Sequence, residues 1–319
     1  MGPTRVPTAT YRLQFNRDFT FEQAEEVLDY LQELGVSDCY ASPLFRASAE
    51  STHGYDICCF GEISPALGGL DGFKKFSAAA RERGLGLLLD MVPNHMGSAL
   101  TNEWWVDVLR HGPGSDYAQF FDIDWDPPTP GLRNKVLLPV LDDHCWKVVA
   151  SGKLRVAEEN GEFVIAYHDH KYPIAPESKA SLKHLHQLLD EQHYRLAYWR
   201  VGPHEINYRR FFDITELVSL RMERLEVFEA THKVLFELID DGLVMGLRID
   251  HPDGLWNPKQ YFERVQTRGP IYMVAEKILT GDEPLPEDWP VDGTTGYDFL
   301  NRLNGIFIDQ CNEAAMTKI

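Results

Sequence analysis

Two hydrophobic rhythms alternate along the chain. Residues 8–15 (TATYRLQF) alternate apolar and polar side chains, the period of a strand. Residues 21–34 then place Phe21, Ala24, Val27, Leu28, Leu31 and Leu34 at helical spacing, with Thr20 as cap and Gly35 as stop. Residues 36–42 read as a second strand and residues 71–83 as a helix halted by Gly84. Residues 85–92 (LGLLLDMV) are almost continuously apolar, as a strand covered on both faces requires.

The rhythm breaks from Gly97 to about Glu205, a stretch rich in Trp, Pro and Asp. It holds short β-like runs at 135–140 and 163–167 and a polar helical stretch at 178–194. A hundred residues is too long for a loop, so 97–205 is expected to be an inserted subdomain between 1–96 and 206–319. The rhythm resumes with a helix over 215–240, carried by Leu217, Leu220, Leu225, Phe228, Val234, Leu235 and Leu238. A strand at 243–249, a helix at 258–268, a strand at 271–275 and helical residues at 297–312 follow. Strands alternating with helices imply a parallel sheet with right-handed crossovers. Five strands are visible; a closed parallel barrel needs eight.

Of the 319 residues, 44% are hydrophobic and 25% charged, which supplies a full core and excludes a disordered chain. The net charge of −18 repels phosphate backbones and anionic lipid, so nucleic acid and membrane surfaces are poor partners. No apolar run reaches the roughly 18 residues of a membrane helix, and the first residues carry no signal-peptide apolar core. The cysteines, Cys39, Cys58, Cys59, Cys145 and Cys311, are odd in number and form no C-x-x-C pair. They read as reduced, cytoplasmic thiols. Nothing in the pattern fixes an oligomeric state.

Candidate chemistry gathers at the ends of the expected strands, where parallel barrels keep their active sites. Asp250 and Glu276 each end a strand and lie 26 residues apart, about one β–α–β unit. Neighbouring strands lie about 4.8 Å apart, so the two carboxylates should be on the order of 5 Å apart. That suits a retaining glycosidase and is too close for an inverting one. The same spacing also fits two unrelated carboxylates that cap nearby helices. Arg248 shares a strand face with Asp250 and would hold it ionised, as a nucleophile must be, or form a structural ion pair. Residues 90–95 (DMVPNH) end the third strand, so that His95 could reach a sugar hydroxyl or be a satisfied core residue. His53, Tyr55 and Asp56 follow the second strand and offer a flat face with polar edges, or merely a turn. Trp104 and Trp105 suit either sugar stacking or the subdomain core. The Asp122, Asp124 and Asp126 alternation lacks the glycine and terminal glutamate of a calcium loop, so an Asx turn is expected. His184, His186 and His193 have no metal spacing. Gly84 and Gly86 precede a strand, unlike a dinucleotide loop.

DMVPNH (90–95), GLRIDH (246–251) and the Glu of VAEKI (274–278) together resemble, in order, the signature regions of the α-amylase superfamily, glycoside hydrolase family 13. TYRLQF, YASPL (40–44), STHGYD (51–56), FFDIDWDP (120–127), GLRIDHPDGLW (246–256) and LPEDWPVDGTTGYDFLN (285–301) resemble one branch of that family over nearly the whole chain. The resemblance implies a (β/α)8 TIM barrel with the insertion after its third strand, truncated here after about five strands. It implies an isomerase acting on maltooligosaccharides, in which the α-1,4 bond at the reducing end becomes α,α-1,1. Asp250 would be the nucleophile and Glu276 the acid/base. His53, Tyr55, Asp56, His95, Arg248 and His251 would bind substrate. No cofactor and no metal are implied. A hydrolase of the same family and an inactive partial copy are the alternatives. Cys59 and Phe60 stand where the family carries an acidic residue and His or Tyr. The family's third carboxylate, an Asp after a His on a later strand, is expected beyond Ile319; otherwise Asp298 or Asp309 would be the places to look. On that expectation, residues 1–319 alone are poorly soluble or molten, and inactive.

Overall fold

The computed structural model describes residues 5–159 and 161–319. Six parallel strands form its central sheet in strict chain order. They are β1 (Thr10–Leu13), β2 (Asp38–Ala41), β3 (Gly86–Met91), β4 (Gly246–Ile249), β5 (Tyr272–Ala275) and β6 (Gly293–Thr294). Five were expected. The sixth is two residues long, too short for a period-2 signal, and pairs with β5 at Val274 and Ala275. Neighbours in sequence that are neighbours in space, all parallel, form an arc of barrel wall.

β3 is buried at every position, which explains its continuous apolar run. β4 lies between β3 and β5, with Arg248 opposite both Asp90 and Val274. The start of β4 is tightly packed: a Cβ on Gly246 would lie 3.1 Å from Leu88 and from Tyr272. Behind the sheet, Phe21 stands 5.0 Å from Phe15 and 5.5 Å from Phe73, ring centre to centre. The aromatic cluster anchors the first helices to α3 (Gly69–Glu82).

Several expectations need correction. The helix expected over 21–34 is two, α1 (Phe21–Glu25) and α2 (Leu28–Leu34), although the Gln23 side chain accepts the Thr20 N–H as a helix start should, and Gly35 ends it at φ 84°. The helix expected over 215–240 is α4 (Leu225–Asp240) only. Residues Ile214–Ser219 form a strand that pairs antiparallel with His95–Gly97. Leu217 and Leu220 fit helical spacing, but this pairing overrides the local pattern. The polar stretch at 178–194 contains only a 3₁₀ segment, Pro176–Ser181, and a short helix, Leu185–Asp190. The runs at 135–140 and 163–167 are strands as expected, Val136–Leu141 and Glu162–Tyr167. Val136–Leu141 pairs with Tyr194–Tyr198, and Glu162–Tyr167 is the middle strand of a three-stranded sheet. Trp105 is buried and Trp104 stacks on Tyr117 at 5.4 Å, so both serve this packing. After β4 come α5 (Pro258–Gln266) and, after β6, α6 (Tyr297–Gly305). α6 differs from the earlier helices in having no buried residue. Among the described residues no helix is long and apolar enough to cross a membrane.

Candidate active site

The carboxyl ends of β3, β4 and β5 converge on one guanidinium. Arg248, 7% exposed, donates from Nη1 to Asp90 Oδ1 at 2.7 Å and to Asp250 Oδ1 at 2.7 Å. Its Nη2 lies 2.9 Å from Glu276 Oε1. The register makes this possible, since Ile249 pairs with Ala275 and each carboxylate is the next residue. The two side chains therefore sit at equivalent heights on adjacent strands, bridged by adjacent nitrogens of a single side chain.

Asp90 is the most enclosed member. Besides Arg248, it accepts hydrogen bonds from Arg12 Nη1 at 3.2 Å and from the hydroxyls of Tyr40 and Tyr55, each at 2.7 Å. Arg12 also donates to the Tyr55 hydroxyl at 3.0 Å. Asp250 is buried with Arg248 as its side-chain donor. Burial pushes its carboxyl up to about 7, with Asp90 and Glu276 adding to the rise and Arg248 opposing it. Arg248, expected to hold Asp250 ionised, does pair with it, but one guanidinium is divided among three carboxylates and desolvation outweighs its share. Glu276 is more open. Its Oε2 accepts the His251 N–H at 3.0 Å, and its Oε1 accepts the Tyr297 hydroxyl at 3.3 Å. His251 holds a left-handed backbone, φ 44°. A cleft of about 570 Å³ opens over Arg12, Tyr40, Tyr55, Arg248, Glu276 and Tyr297.

Of the residues singled out from the sequence, Tyr55, Arg248, Asp250, His251 and Glu276 come together here. Three stand apart. His53 is more than half exposed and accepts the Tyr55 N–H at 3.1 Å. The Asp56 carboxylate accepts from the Ser51 hydroxyl and faces away from the cluster. His95 does not project into the opening: Phe211 covers its ring at 4.7 Å, and burial pushes its imidazole down to about 3. The same Phe211 packs on the His251 ring at 4.8 Å.

Sequence reasoning missed Asp90, Arg12 and Tyr40 as members of the cluster, although the inward alternation of TYRLQF and of residues 38–41 marks Arg12 and Tyr40. It also missed Arg209. That guanidinium donates to Asp122 Oδ2 and Asn94 Oδ1 at 2.8 Å, to the Gly254 carbonyl at 2.7 Å and to the Leu220 carbonyl at 2.9 Å. It ties the loops after β3 and β4 to residues 120–127, a link across 115 positions that no local pattern encodes. The Asp124 side chain accepts the Asp126 N–H, an Asx turn as expected. Among the described residues no cluster of three His, Cys, Asp or Glu side chains is arranged for a metal.

A family profile described as alpha amylase, catalytic domain, matches residues 24–284. The chain belongs to the α-amylase family. Such a domain is consistent with the barrel-like α/β sheet. Within this family the chain is similar to a Mycobacterium tuberculosis protein provisionally named maltooligosyl trehalose synthase, 43% identical over 98% of this chain and 40% of the relative. The structure of maltooligosyltrehalose synthase from Arthrobacter ramosus matches with a TM-score of 0.90 at 39% identity, over 98% of this chain and 40% of that one. The likeness to an intracellular maltogenic amylase of Bacillus subtilis, 39% identical, is confined to 32% of this chain and 17% of the amylase. The chain thus spans about 40% of the length of the synthases it matches.

Proposed function

We propose that this chain carries the nucleophile and acid/base of a maltooligosyltrehalose synthase. The observation that carries the chemistry is the placement of Asp250 and Glu276 on adjacent nitrogens of Arg248, at matched ends of neighbouring strands. Carboxylates at matched ends of neighbouring strands, about 4.8 Å apart, suit the close spacing of a retaining pair. The extent of the likeness, 98% of the chain for the synthase against 32% for the amylase, favours transfer over hydrolysis.

Asp250 attacks C1 of the penultimate glucosyl unit and forms a glycosyl ester. Glu276 gives its proton to the departing glycosidic oxygen. The released glucose turns over, its own C1 hydroxyl attacks the anomeric carbon of the glycosyl ester, the Asp250 carboxylate leaves, and Glu276 recovers the proton. Atoms balance and no water is consumed. Tyr55 and Arg248 bind the sugar at the cleaved bond and His251 contacts it, whereas His53, Asp56 and His95 lie outside the lining of the cleft. Residues 97–205, inserted after β3, serve as the subdomain over the barrel mouth. The two-strand remainder of a (β/α)8 barrel and the third carboxylate are assigned to the protein that contains this chain.

The test is the product. The full-length protein should turn maltopentaose into a non-reducing pentasaccharide of unchanged mass. Release of glucose or of free trehalose as the main product would replace this reading with the hydrolase one.

A further inference from the structure

Arg209 is not among the residues that line the cleft, yet its contacts lead to the acid/base. Its backbone is pinned on both sides. The N–H donates to the Asp122 carbonyl and the carbonyl accepts the Ser219 N–H, each at 2.9 Å. All three guanidinium nitrogens are engaged. Nε and Nη2 are committed to Asp122 Oδ2 and to the Leu220 carbonyl. Nη1 alone holds both the Asn94 side-chain oxygen, at 2.8 Å, and the Gly254 carbonyl, at 2.7 Å.

Gly254 closes a tight turn, its N–H donating to the His251 carbonyl at 3.1 Å. The turn has no slack on the Arg209 side: a Cβ on Gly254 would lie 2.5 Å from Asn94 Oδ1 and 2.5 Å from His251 Cδ2. His251 opens the turn in the left-handed region, which a residue with a side chain keeps only where its surroundings hold it there. Its N–H is the backbone donor to Glu276 Oε2. A continuous line thus runs from the Arg209 guanidinium through the Gly254 carbonyl and the His251 N–H to the Glu276 carboxyl group. On the far side of the turn Lys277 donates to Asp253 at 3.1 Å, but that hold ends on a half-exposed side chain, whereas Arg209 grips backbone.

From this we infer that Arg209 is a positioning residue for the acid/base: by fixing the turn at 251–254 it keeps the His251 N–H, and with it the Glu276 carboxyl group, in place without touching substrate. The inference rests on the function proposed above. Asp250 has its own holders, Arg248 on its side chain and the Met91 carbonyl on its N–H. A loosened turn therefore weakens protonation of the leaving group and spares the nucleophilic attack.

The test compares two donors in the full-length protein: maltopentaose, whose leaving group needs a proton, and maltosyl fluoride, whose leaving group needs little. Arg209→Lys keeps a positive charge beside Asp122, but one ammonium cannot span acceptors in four segments. On maltopentaose kcat should fall about tenfold, a part of the roughly 10²–10⁴-fold that a general acid supplies, while KM moves less than about threefold. Formation of the ester from maltosyl fluoride should slow less than about twofold. Gly254→Ala displaces the turn with Arg209 in place and should show the same split, so if one variant fails to fold the other decides. In Glu276→Gln protein, adding Arg209→Lys should slow maltopentaose turnover less than about twofold further, because the loss runs through Glu276. Equal losses on the two donors, no loss on either, or additive losses in the double variant would overturn the inference. If the unaltered protein releases glucose or trehalose in place of the non-reducing pentasaccharide, the synthase reading fails, while the comparison of donors, which needs only a general acid, still decides this one.

Discussion

The two flanks of Arg248 are built to opposite specifications. On one, the Asp90 side chain is fully buried and Asp250 is 7% exposed, held by β3 and β4 in the middle of the sheet. On the other, Glu276 is 21% exposed and follows β5, whose outer neighbour β6 has two residues. Asp90 receives four side-chain donors, two of them cationic and two phenolic. Glu276 meets Arg248, one backbone N–H and one phenol on the loosely packed α6. The contrast fits the division of labour proposed for them. A nucleophile gains from rigid aim and a dry setting. A group that must lose and regain a proton in each cycle gains from room to move and from contact with the substrate side.

The most severe way to break the comparison is Asp250→Asn in the full-length protein. An amide cannot form the glycosyl ester, so turnover should fall by several orders of magnitude, about 10⁴-fold or more. Asn matches Asp in shape, and burial disfavours the charge it removes, so the melting temperature should hold or rise. A variant with a tenth of the normal rate would remove Asp250 from the nucleophile role.

Glu276→Gln should separate the flanks by leaving group. Natural maltooligosaccharides should be turned over about 10²–10⁴ times more slowly, the usual contribution of a general acid. A glycosyl fluoride needs little protonation, so its first step should survive and the ester on Asp250 should accumulate, visible by protein mass. Equal loss on both donors would show that Glu276 does not protonate the leaving group.

The closed flank also has a pH signature. Asp250 must be ionised to attack, and its carboxyl is raised to about 7 from an ordinary 3.8, first by burial and then by its carboxylate neighbours. The acid limb of kcat/KM should therefore fall near pH 7 rather than near 4, activity rising as pH rises through it. For stability the sign is opposite: the folded protein holds this proton over a window in which the unfolded chain has lost it, so Asp250 opposes folding increasingly from pH 4 to 7. Asp90→Asn removes a nearby negative charge and frees Arg248 for Asp250, and both changes should move the limb to lower pH. A limb that stays in place would mean that Asp90 does not act on Asp250 electrostatically. If Asp90→Asn fails to fold, Tyr40→Phe, which strips one donor from Asp90, should move the limb the other way by a smaller amount.

How much of this was legible in the sequence follows from distance along the chain. β3 announced itself because a strand covered on both faces is almost continuously apolar, and Asp250 and Glu276 were found because each directly follows a strand. The adjacency of those carboxylates followed from one β–α–β unit. Arg209 was invisible, since its four acceptors come from four separate segments of the chain. His95 was placed in the opening because Phe211, which covers it, lies 116 residues later on a segment that read as a loop before a helix. The rise on Asp250 was missed for a related reason: sequence shows that Arg248 is two residues away, but not that two other carboxylates compete for it. Local pattern revealed the strand ends, whereas tertiary packing decided which groups meet there and how dry they are.

Tyr297→Phe is the mildest test and the one most specific to the open flank. Its hydroxyl donates to Glu276 over 3.3 Å from a residue that is 39% exposed. A neutral hydrogen bond contributes about 0.5–1.5 kcal/mol, and length and water both push this one to the low end. Losing it should slow turnover about two- to threefold, leave KM almost unchanged and leave the melting temperature alone, because α6 buries none of its residues. The remaining holders, Arg248 and the His251 N–H, keep Glu276 in reach of the bond. A loss as large as that of Glu276→Gln would reverse the picture. Glu276 would then be fixed as tightly as Asp90 is, α6 would be part of a closed site, and the freedom assigned to the acid/base would have to come from motion of the helix.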